Sequence, residues 1–363
     1  MTRWRIAALT ALAILLTGIG LWQVRDRILM ASMSRIYDRA FSGDPLAALP
    51  DGLHVGLCGS GSPLPDPTRQ GPCVAVVAGN RLFVVDSGGG GTRRLSLMNL
   101  PPAEVSAVFL THFHSDHIDG LGELMLQRWA GGAWSTPLPV YGPTGVDQIV
   151  HGYEAAYALD RGYRIAHHGP AVVPPTGFGG DPRPFTVDKN KPDVLLIDEP
   201  NLRVIAFPVD HHPVEPAVGY LFIYKGRRLV VSGDTAPSPR LEAAARDADV
   251  LVHEALAPNL LAIQRDAALR AGRTNIAHIL HDILSYHTTP EQAAAIAARA
   301  HVSFLLLNHI IPPLPTPLLD DVFLGRSHEI YRGPIRVGED GDFVSMPTGG
   351  HQITRTNRLK FFQ

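Results

Sequence analysis

The sequence of 363 residues predicts an α/β fold, because apolar strand-like runs alternate with helical patterns along much of the chain. The composition is 45% hydrophobic and 18% charged, with 31 Pro and 35 Gly, which is typical of a globular protein with many turns. The length allows one large domain or two ordinary ones. In the second half, strand-like runs lie at 203–207, 220–224, 228–232, 250–252 and 304–307, and helical patterns at 239–247, 258–271 and 290–300.

An apolar segment without charge occupies residues 6–22, and Arg3 and Arg5 precede it. Its 17 residues are at the short end for a membrane span of about 20. No convincing cleavage site follows, so residues 1–24 are expected to be an uncleaved signal anchor, with a cleaved signal peptide as the alternative. We expect the body to lie outside the cytoplasm, in the periplasm if the source is bacterial.

Residues 25–52 are expected to form a membrane-proximal helix or linker, followed by one folded domain at 53–348 and a tail at 349–363. The folded domain is expected to start at the run 53–57. Within it, strands are predicted at 74–77, 81–86 and 138–142, and a long Pro/Gly-rich loop at 169–192. Cys58 and Cys73 flank a turn-rich loop. They are expected to form a disulfide if the body is exported, and to be two buried thiols otherwise. The glycine run 87–91 lacks the Gly-Lys-Ser/Thr of a P-loop and predicts a tight active-site turn.

The strongest chemical signal is the stretch 111–117, Thr-His-Phe-His-Ser-Asp-His, directly after the apolar strand 105–110. His112 and His114 are two positions apart and face the same way where a strand runs into a loop. Asp116 and His117 begin the following helical pattern. Two ligand pairs on one short loop indicate two adjacent metals.

Other apolar strands also end in metal-competent residues, and in α/β proteins sites gather beyond the carboxyl ends of strands. Three imidazole or carboxylate ligands per metal leave a position open, as in catalytic zinc sites, while Fe and Mn accept the same donors. The strand-end residues are Asp210, His211 and His212; Asp234; His253 and Glu254; and Asn308 and His309.

These motifs resemble the metallo-β-lactamase fold superfamily, and within it the ribonuclease Z/arylsulfatase-like branch. The signature His-x-His-x-Asp-His stands at 112–117, and further resembling segments lie at 59–65, 209–220, 231–235, 252–255, 287–293 and 307–309. The resemblance covers roughly residues 53–347. It implies an αββα sandwich, with two mixed sheets between outer helices, and two divalent metals, with zinc as the expected ion.

The resemblance also implies the role of each site residue. It places His112, His114 and His211 on one metal, with the neighbouring His212 as a rival for His211. It places Asp116, His117 and His309 on the other metal, with Asp234 as the bridge. Glu254 and His287 would form a relay near Asp116 that protonates the leaving group, or would simply orient ligands. The catalytic set is therefore Asp116, Glu254 and His287.

A metal-bridging hydroxide acting on a small ester, lactone, phosphodiester or sulfate ester is the expected chemistry. The alternative is a ribonuclease Z-like phosphodiesterase acting on RNA; a β-lactamase and a non-catalytic or redox metal protein rank lower. The net charge of −2, the export segment and the few cations in 169–192 argue against a nucleic-acid partner. A small-molecule substrate and membrane contact through the N-terminus are expected, and the oligomeric state, including a homodimer, stays open.

Overall fold

The computed structural model describes residues 2–359. The chain divides into two units, residues 1–48 and 49–363. In the first unit, helix α1 (Thr2–Phe41) runs without a break through the predicted anchor and into the predicted linker. At 1.5 Å per residue, its 40 residues span about 60 Å. It is the one helix among the described residues that is long and apolar enough to cross a membrane, judged by length and composition alone.

The second unit is built on two sheets. The first has the strand order β15-β14-β1-β2-β3-β4-β5-β6, and the second β13-β12-β11-β10-β9-β8-β7. The described strands are β1 (Gly52–Gly59), β2 (Cys73–Ala78), β3 (Arg81–Val85), β4 (Val105–Phe109), β5 (Leu138–Pro143), β6 (Gly180–Phe185), β7 (Val194–Glu199), β8 (Leu202–Pro208), β9 (Val218–Tyr224), β10 (Arg227–Val231), β11 (Val250–Leu256), β12 (Phe304–Ile311), β13 (Ile335–Val337), β14 (Asp342–Pro347) and β15 (Thr354–Asn357).

Helices connect these strands and cover the outer faces of the sheets. Helix α10 begins as its sequence predicts, because Thr289 and Gln292 form a capping box and Pro290 occupies the first turn. The described helices after α1 are α2 (Gly91–Leu97), α3 (Ser115–Ile118), α4 (Leu121–Gly132), α5 (Val146–Ala156), α6 (Ala158–His168), α7 (Pro239–Ala244), α8 (Pro258–Arg270), α9 (Thr274–Asp282), α10 (Pro290–Arg299), α11 (Asp320–Leu324) and α12 (Ser327–Ile330).

The main core lies between the two sheets. Phe83 and Phe109 of the first sheet pack there against Tyr220 and Phe222 of the second, and all four side chains are buried. The outer face of the second sheet forms another core with α7 and α10, which contribute residues such as Ile296. Helices α2 and α4 pack on strands of the first sheet. The predicted αββα sandwich is therefore confirmed.

The predicted long loop at 169–192 is wrong in part, because residues 180–185 in its middle form strand β6. β6 pairs with β5 alone and closes one edge of the first sheet, and an edge strand tolerates Pro182 and Pro184 because it needs donors on one side only. The predicted tail contains strand β15, which pairs with β14, while its residues 360–363 lie outside the described part of the chain.

Strand direction determines where the site forms. Strands β3 to β6 run parallel to one another, and so do β10, β11 and β12. Strand β8 has the same direction as β10, because both are antiparallel to β9. The loops that follow these strands consequently emerge together at one end of each sheet, where ligands bind in open α/β sheets.

Candidate metal centre

The loop after β4 brings four candidate ligands together. His112 is fully buried and His114 half-buried, and their Nε2 and Nδ1 atoms are 3.0 Å apart. Helix α3 then places Asp116 and His117 on its first turn, where His117 is buried and Asp116 is partly buried. The short helix is what points this second pair back toward the histidines.

The later strand ends complete two groups of ligand atoms. Within each group the atoms lie within 4.8 Å of one another. Oδ2 of Asp234 is 3.3 Å from Nε2 of both His117 and His309, and 3.9 and 4.0 Å from Nε2 of His112 and His211. One carboxylate oxygen therefore faces imidazoles of both groups. The first group is His112, His114, His211 and Asp234, and the second is Asp116, His117 and His309.

The donor chemistry fits divalent cations. Nδ1 of His117 lies 2.9 Å from Asp86 Oδ2, and since a carboxylate only accepts, Nδ1 carries the proton. In the neutral ring, Nε2 then presents a lone pair toward carboxylate oxygens of Asp116 and Asp234, at 3.5 and 3.3 Å, and it has no hydrogen-bond partner among the described residues. Lone pairs that face each other in a buried site are stabilised by a cation between them. The cluster is thus compatible with a dinuclear divalent-metal site.

Charge distribution in the cluster supports the same conclusion. Burial raises the pKa of Asp234, but His309 and His117 outweigh it and hold that pKa well below its usual value. Burial and the neighbouring His117 lower the pKa of His112 well below its usual value. Burial also lowers the pKa of His211. Ionised Asp234 beside neutral His112 and His211 is the protonation state that binds metal. At His117, by contrast, burial lowers the pKa, but Asp234 and Asp86 outweigh it and raise that pKa well above its usual value, so a bound metal would displace a proton there.

The structure distinguishes His211 from its neighbour His212. The His211 side chain is 1% exposed, and its Nδ1 donates to the Tyr286 carbonyl oxygen at 3.1 Å. Because Nδ1 makes that bond, Nε2 points toward the cluster, where it lies 3.5 Å from Nδ1 of His114. His212 is exposed. These contacts favour His211 as the ligand.

Glu254 and His287 form a buried pair beside the cluster. Nδ1 of His287 is 3.0 Å from Glu254 Oε1, which also accepts the backbone N–H groups of Thr235 and Thr288 at 3.1 Å each. Burial lowers the pKa of His287, but the Glu254 carboxylate outweighs it and raises that pKa above its usual value. His287 also offers a nitrogen within 4.8 Å of ligand atoms of Asp234 and His309. The pair thus approaches the cluster through Asp234 and His309, while Asp116 contacts His117 and His309.

Asp86 is a site residue that the sequence reasoning missed. Besides holding His117, it accepts the backbone N–H and the hydroxyl of Thr111 at 2.8 Å each, and the Thr111 hydroxyl lies 3.0 Å from His112 Nδ1. One carboxylate thereby orients a histidine of each metal group. Its signal was visible, since Asp86 follows strand β3 at the same end of the sheet as the other strand-end residues.

The remaining candidates lie away from the ligand groups. His253 is buried and its Nδ1 lies 2.7 Å from the carbonyl oxygen of Glu254. Cys58 and Cys73 form a disulfide that closes the loop between β1 and β2. The glycine run forms a close turn. A Cβ atom added to Gly88 would lie 2.5 Å from the carbonyl oxygen of Asp116, which leaves no room for a side chain at this position.

Comparison with known proteins identifies relatives over most of the chain. The family model of the metallo-beta-lactamase superfamily matches residues 66–281. Ribonuclease Z of Mycolicibacterium gilvum is 36% identical over 300 residues, which cover 82% of this chain and 97% of that protein. Ribonuclease Z of Mycobacterium avium is 35% identical over 290 residues, covering 79% and 96%. The crystal structure of the short form of human tRNase Z superposes with a TM-score of 0.59 at 22% identity, over 81% of this chain and 99% of that one.

Proposed function

Because the chain belongs to the metallo-β-lactamase superfamily and is a metal-dependent hydrolase, we propose that it is a phosphodiesterase that cleaves RNA. The sequence favoured a small ester substrate and kept this activity as the alternative. Relatives named Ribonuclease Z, at 34–36% identity over about four fifths of the chain, support the alternative better. The same relatives make a nucleic-acid partner plausible, against the expectation from the charges and the export segment.

The observation that carries the proposal is Asp234, which lies between two ligand groups and beside the buried Glu254–His287 pair. Hydrolysis of a phosphodiester needs an activated water, stabilisation of negative charge and a proton for the leaving oxygen. Two divalent cations, with zinc as the expected ion, would supply Lewis-acid activation and charge neutralisation when bound. The residues of the chain account for the third requirement.

His287 is the group that we assign to proton donation. The Glu254 carboxylate accepts its Nδ1–H and so keeps the ring protonated and fixed in orientation. The two backbone N–H groups that also bind Glu254 hold this carboxylate in place. His287 can therefore give a proton to a leaving oxygen and be recharged while Glu254 stays fixed.

The test is hydrolysis by the purified, metal-loaded chain of a transfer RNA with a 3′ extension. Parallel assays use bis(p-nitrophenyl) phosphate, an aryl ester, a lactone, an aryl sulfate and a β-lactam. We expect cleavage of the two phosphodiesters, and its loss in Asp234→Ala but not in the matched Asp266→Ala, which changes an exposed side chain. Hydrolysis of the carboxylic esters or sulfate without phosphodiester cleavage would refute the proposal.

A small-ester hydrolase remains the second candidate, and ion pairing around the site favours it. Lys189 and Lys191 near the loop of His211 are paired with Glu215 and Asp188. Such paired cations give little attraction for a long polyanion. The same assay panel separates the two candidates.

We also propose that α1 anchors the chain in a membrane, with the body outside the cytoplasm. The uncharged run 6–22 inside a 40-residue helix supports the anchor, and the Cys58–Cys73 disulfide supports an oxidising compartment. A reporter fused to the C-terminus and active only in the cytoplasm should be silent. A signal from it would overturn the orientation.

A further inference from the structure

A cavity of about 520 Å³ lies at the same end of the sandwich as the metal cluster. Its walls come from the segments that follow β5, β6 and β8. Two of these segments adjoin the metal ligands. The loop after β8 carries His211 and is closed by a hydrogen bond from Val209 N to Ala217 O at 3.1 Å. The loop after β5 carries Thr144, and a Cβ on the next residue, Gly145, would lie 3.2 Å from the ring of Phe113, between His112 and His114.

The cavity lining carries no unpaired positive charge among the described residues. Lys189 is its one cation, and its Nζ lies 2.9 Å from Glu215 Oε1. Asp188 adds a second carboxylate, so that acids outnumber bases in the wall. A phosphate group would find no complementary charge here and would instead be drawn to the metals.

The rest of the lining is neutral and mixed in polarity. The hydroxyls of Thr144 and Thr186 are 3.3 Å apart, both residues are exposed, and Asn190 adds an amide. Val187 and Pro208 are among the apolar residues of the wall. Hydroxyl and amide groups on an apolar wall suit an uncharged ligand with several hydrogen-bonding groups, and the volume falls within the roughly 300–1,000 Å³ of small-molecule sites.

We propose that this cavity binds one nucleoside, the sugar and base attached to the scissile phosphodiester. This inference rests on the proposed function and adds the substrate group that the site selects. The metals would hold the phosphate, while the cavity holds the uncharged substituent on one side of it. Selection then depends on a single nucleoside rather than on a track of backbone phosphates.

Binding of uridine to the metal-loaded full-length chain tests the cavity without catalysis. We expect saturable binding of uridine by ligand-observed NMR, its loss in Thr186→Trp, which fills the cavity from an exposed position, and its retention in Thr356→Trp. Thr356 is an equally exposed threonine, on strand β15, and does not line the cavity. Failure of uridine to bind, or equal binding by Thr186→Trp, overturns the inference.

Kinetics separate this inference from the proposed function. We expect Thr186→Trp to raise KM for uridine 5′-(p-nitrophenyl phosphate) at least about tenfold, as filling a pocket costs that much or more, and to leave methyl p-nitrophenyl phosphate unchanged. If both esters are hydrolysed but the variant affects them equally, the cavity is not the nucleoside site and the proposed function stands. If neither ester is hydrolysed, the proposed function fails, and the uridine-binding experiment alone tests whether the cavity binds a nucleoside.

Discussion

Replacing Asp86 with Asn should weaken metal binding while keeping the fold. The native carboxylate accepts Nδ1–H of His117 at 2.9 Å and thereby fixes the tautomer whose Nε2 faces the cluster. An Asn can keep its oxygen on the Thr111 N–H but then turns its amide NH₂ toward His117. His117 must accept that bond through Nδ1, so its proton moves to Nε2, where it blocks coordination. Loss of such an orienting partner typically costs about 10–100-fold in metal affinity or activity.

The assay is competition for zinc between the protein and a chromophoric chelator, with metal content measured by mass spectrometry. Asp266→Asn serves as the matched control, because that side chain is about half exposed and pairs with its neighbour Arg265 on helix α8. Circular dichroism should show the same fold for all three proteins. If Asp86→Asn binds zinc as tightly as the native chain, the tautomer argument is wrong and Asp86 is only a packing residue.

Three further predictions concern the Glu254–His287 pair, the Cys58–Cys73 disulfide and the metals. Glu254→Gln should move the alkaline fall of kcat to lower pH, because burial lowers the pKa of His287 and the Glu254 carboxylate is the strongest influence that raises it; an unmoved profile would refute the relay. Replacing Cys58 and Cys73 with Ser should cost about 3 kcal/mol of unfolding free energy, as the bridge closes a separation of 15 residues, and thermal unfolding with and without reductant measures it. Removing metal with a chelator should lower the unfolding free energy by about 2.7 kcal/mol for each metal site, relative to metal at 100 times the Kd of that site, and an unchanged Tm would argue against a bound metal.

The strands that form the core were predictable, and those at the edges were not. Strand β4 is a run of apolar residues that ends within one residue of its predicted boundary, because burial on both faces requires such a run. Strand β6 has the sequence Gly-Asp-Pro-Arg-Pro-Phe, which carries none of that signal. Its conformation comes from pairing with β5, a tertiary contact that no local pattern encodes. Helix α6 was missed as well, although its sequence is amphipathic; it lies on the surface and none of its residues is buried.

For the site, the sequence indicated which residues could be ligands, and the structure added what orients them. His112, His114, Asp116 and His117 share one loop, so their proximity follows from the sequence. The carbonyl oxygen of Tyr286 that binds His211 is invisible in a sequence, because every residue has one. Backbone acceptors of this kind acquire a role only when distant segments pack together. The orientation of the ligands is therefore the part of the site that a sequence does not reveal.

We expect RNA cleavage to depend only weakly on salt, because the cations around the site are already paired with carboxylates. Affinity for a polyanion falls with salt in proportion to the number of phosphates that cations neutralise. Here Lys189, Lys191 and Arg240 are each paired with a carboxylate, and the formal net charge is −2. With one phosphate at the metals, we expect log KM for a single-stranded RNA to change with log salt with a slope of roughly 1. Titration with KCl measures it, and a slope of about 4 or more would show that the ion pairs open to bind backbone phosphates.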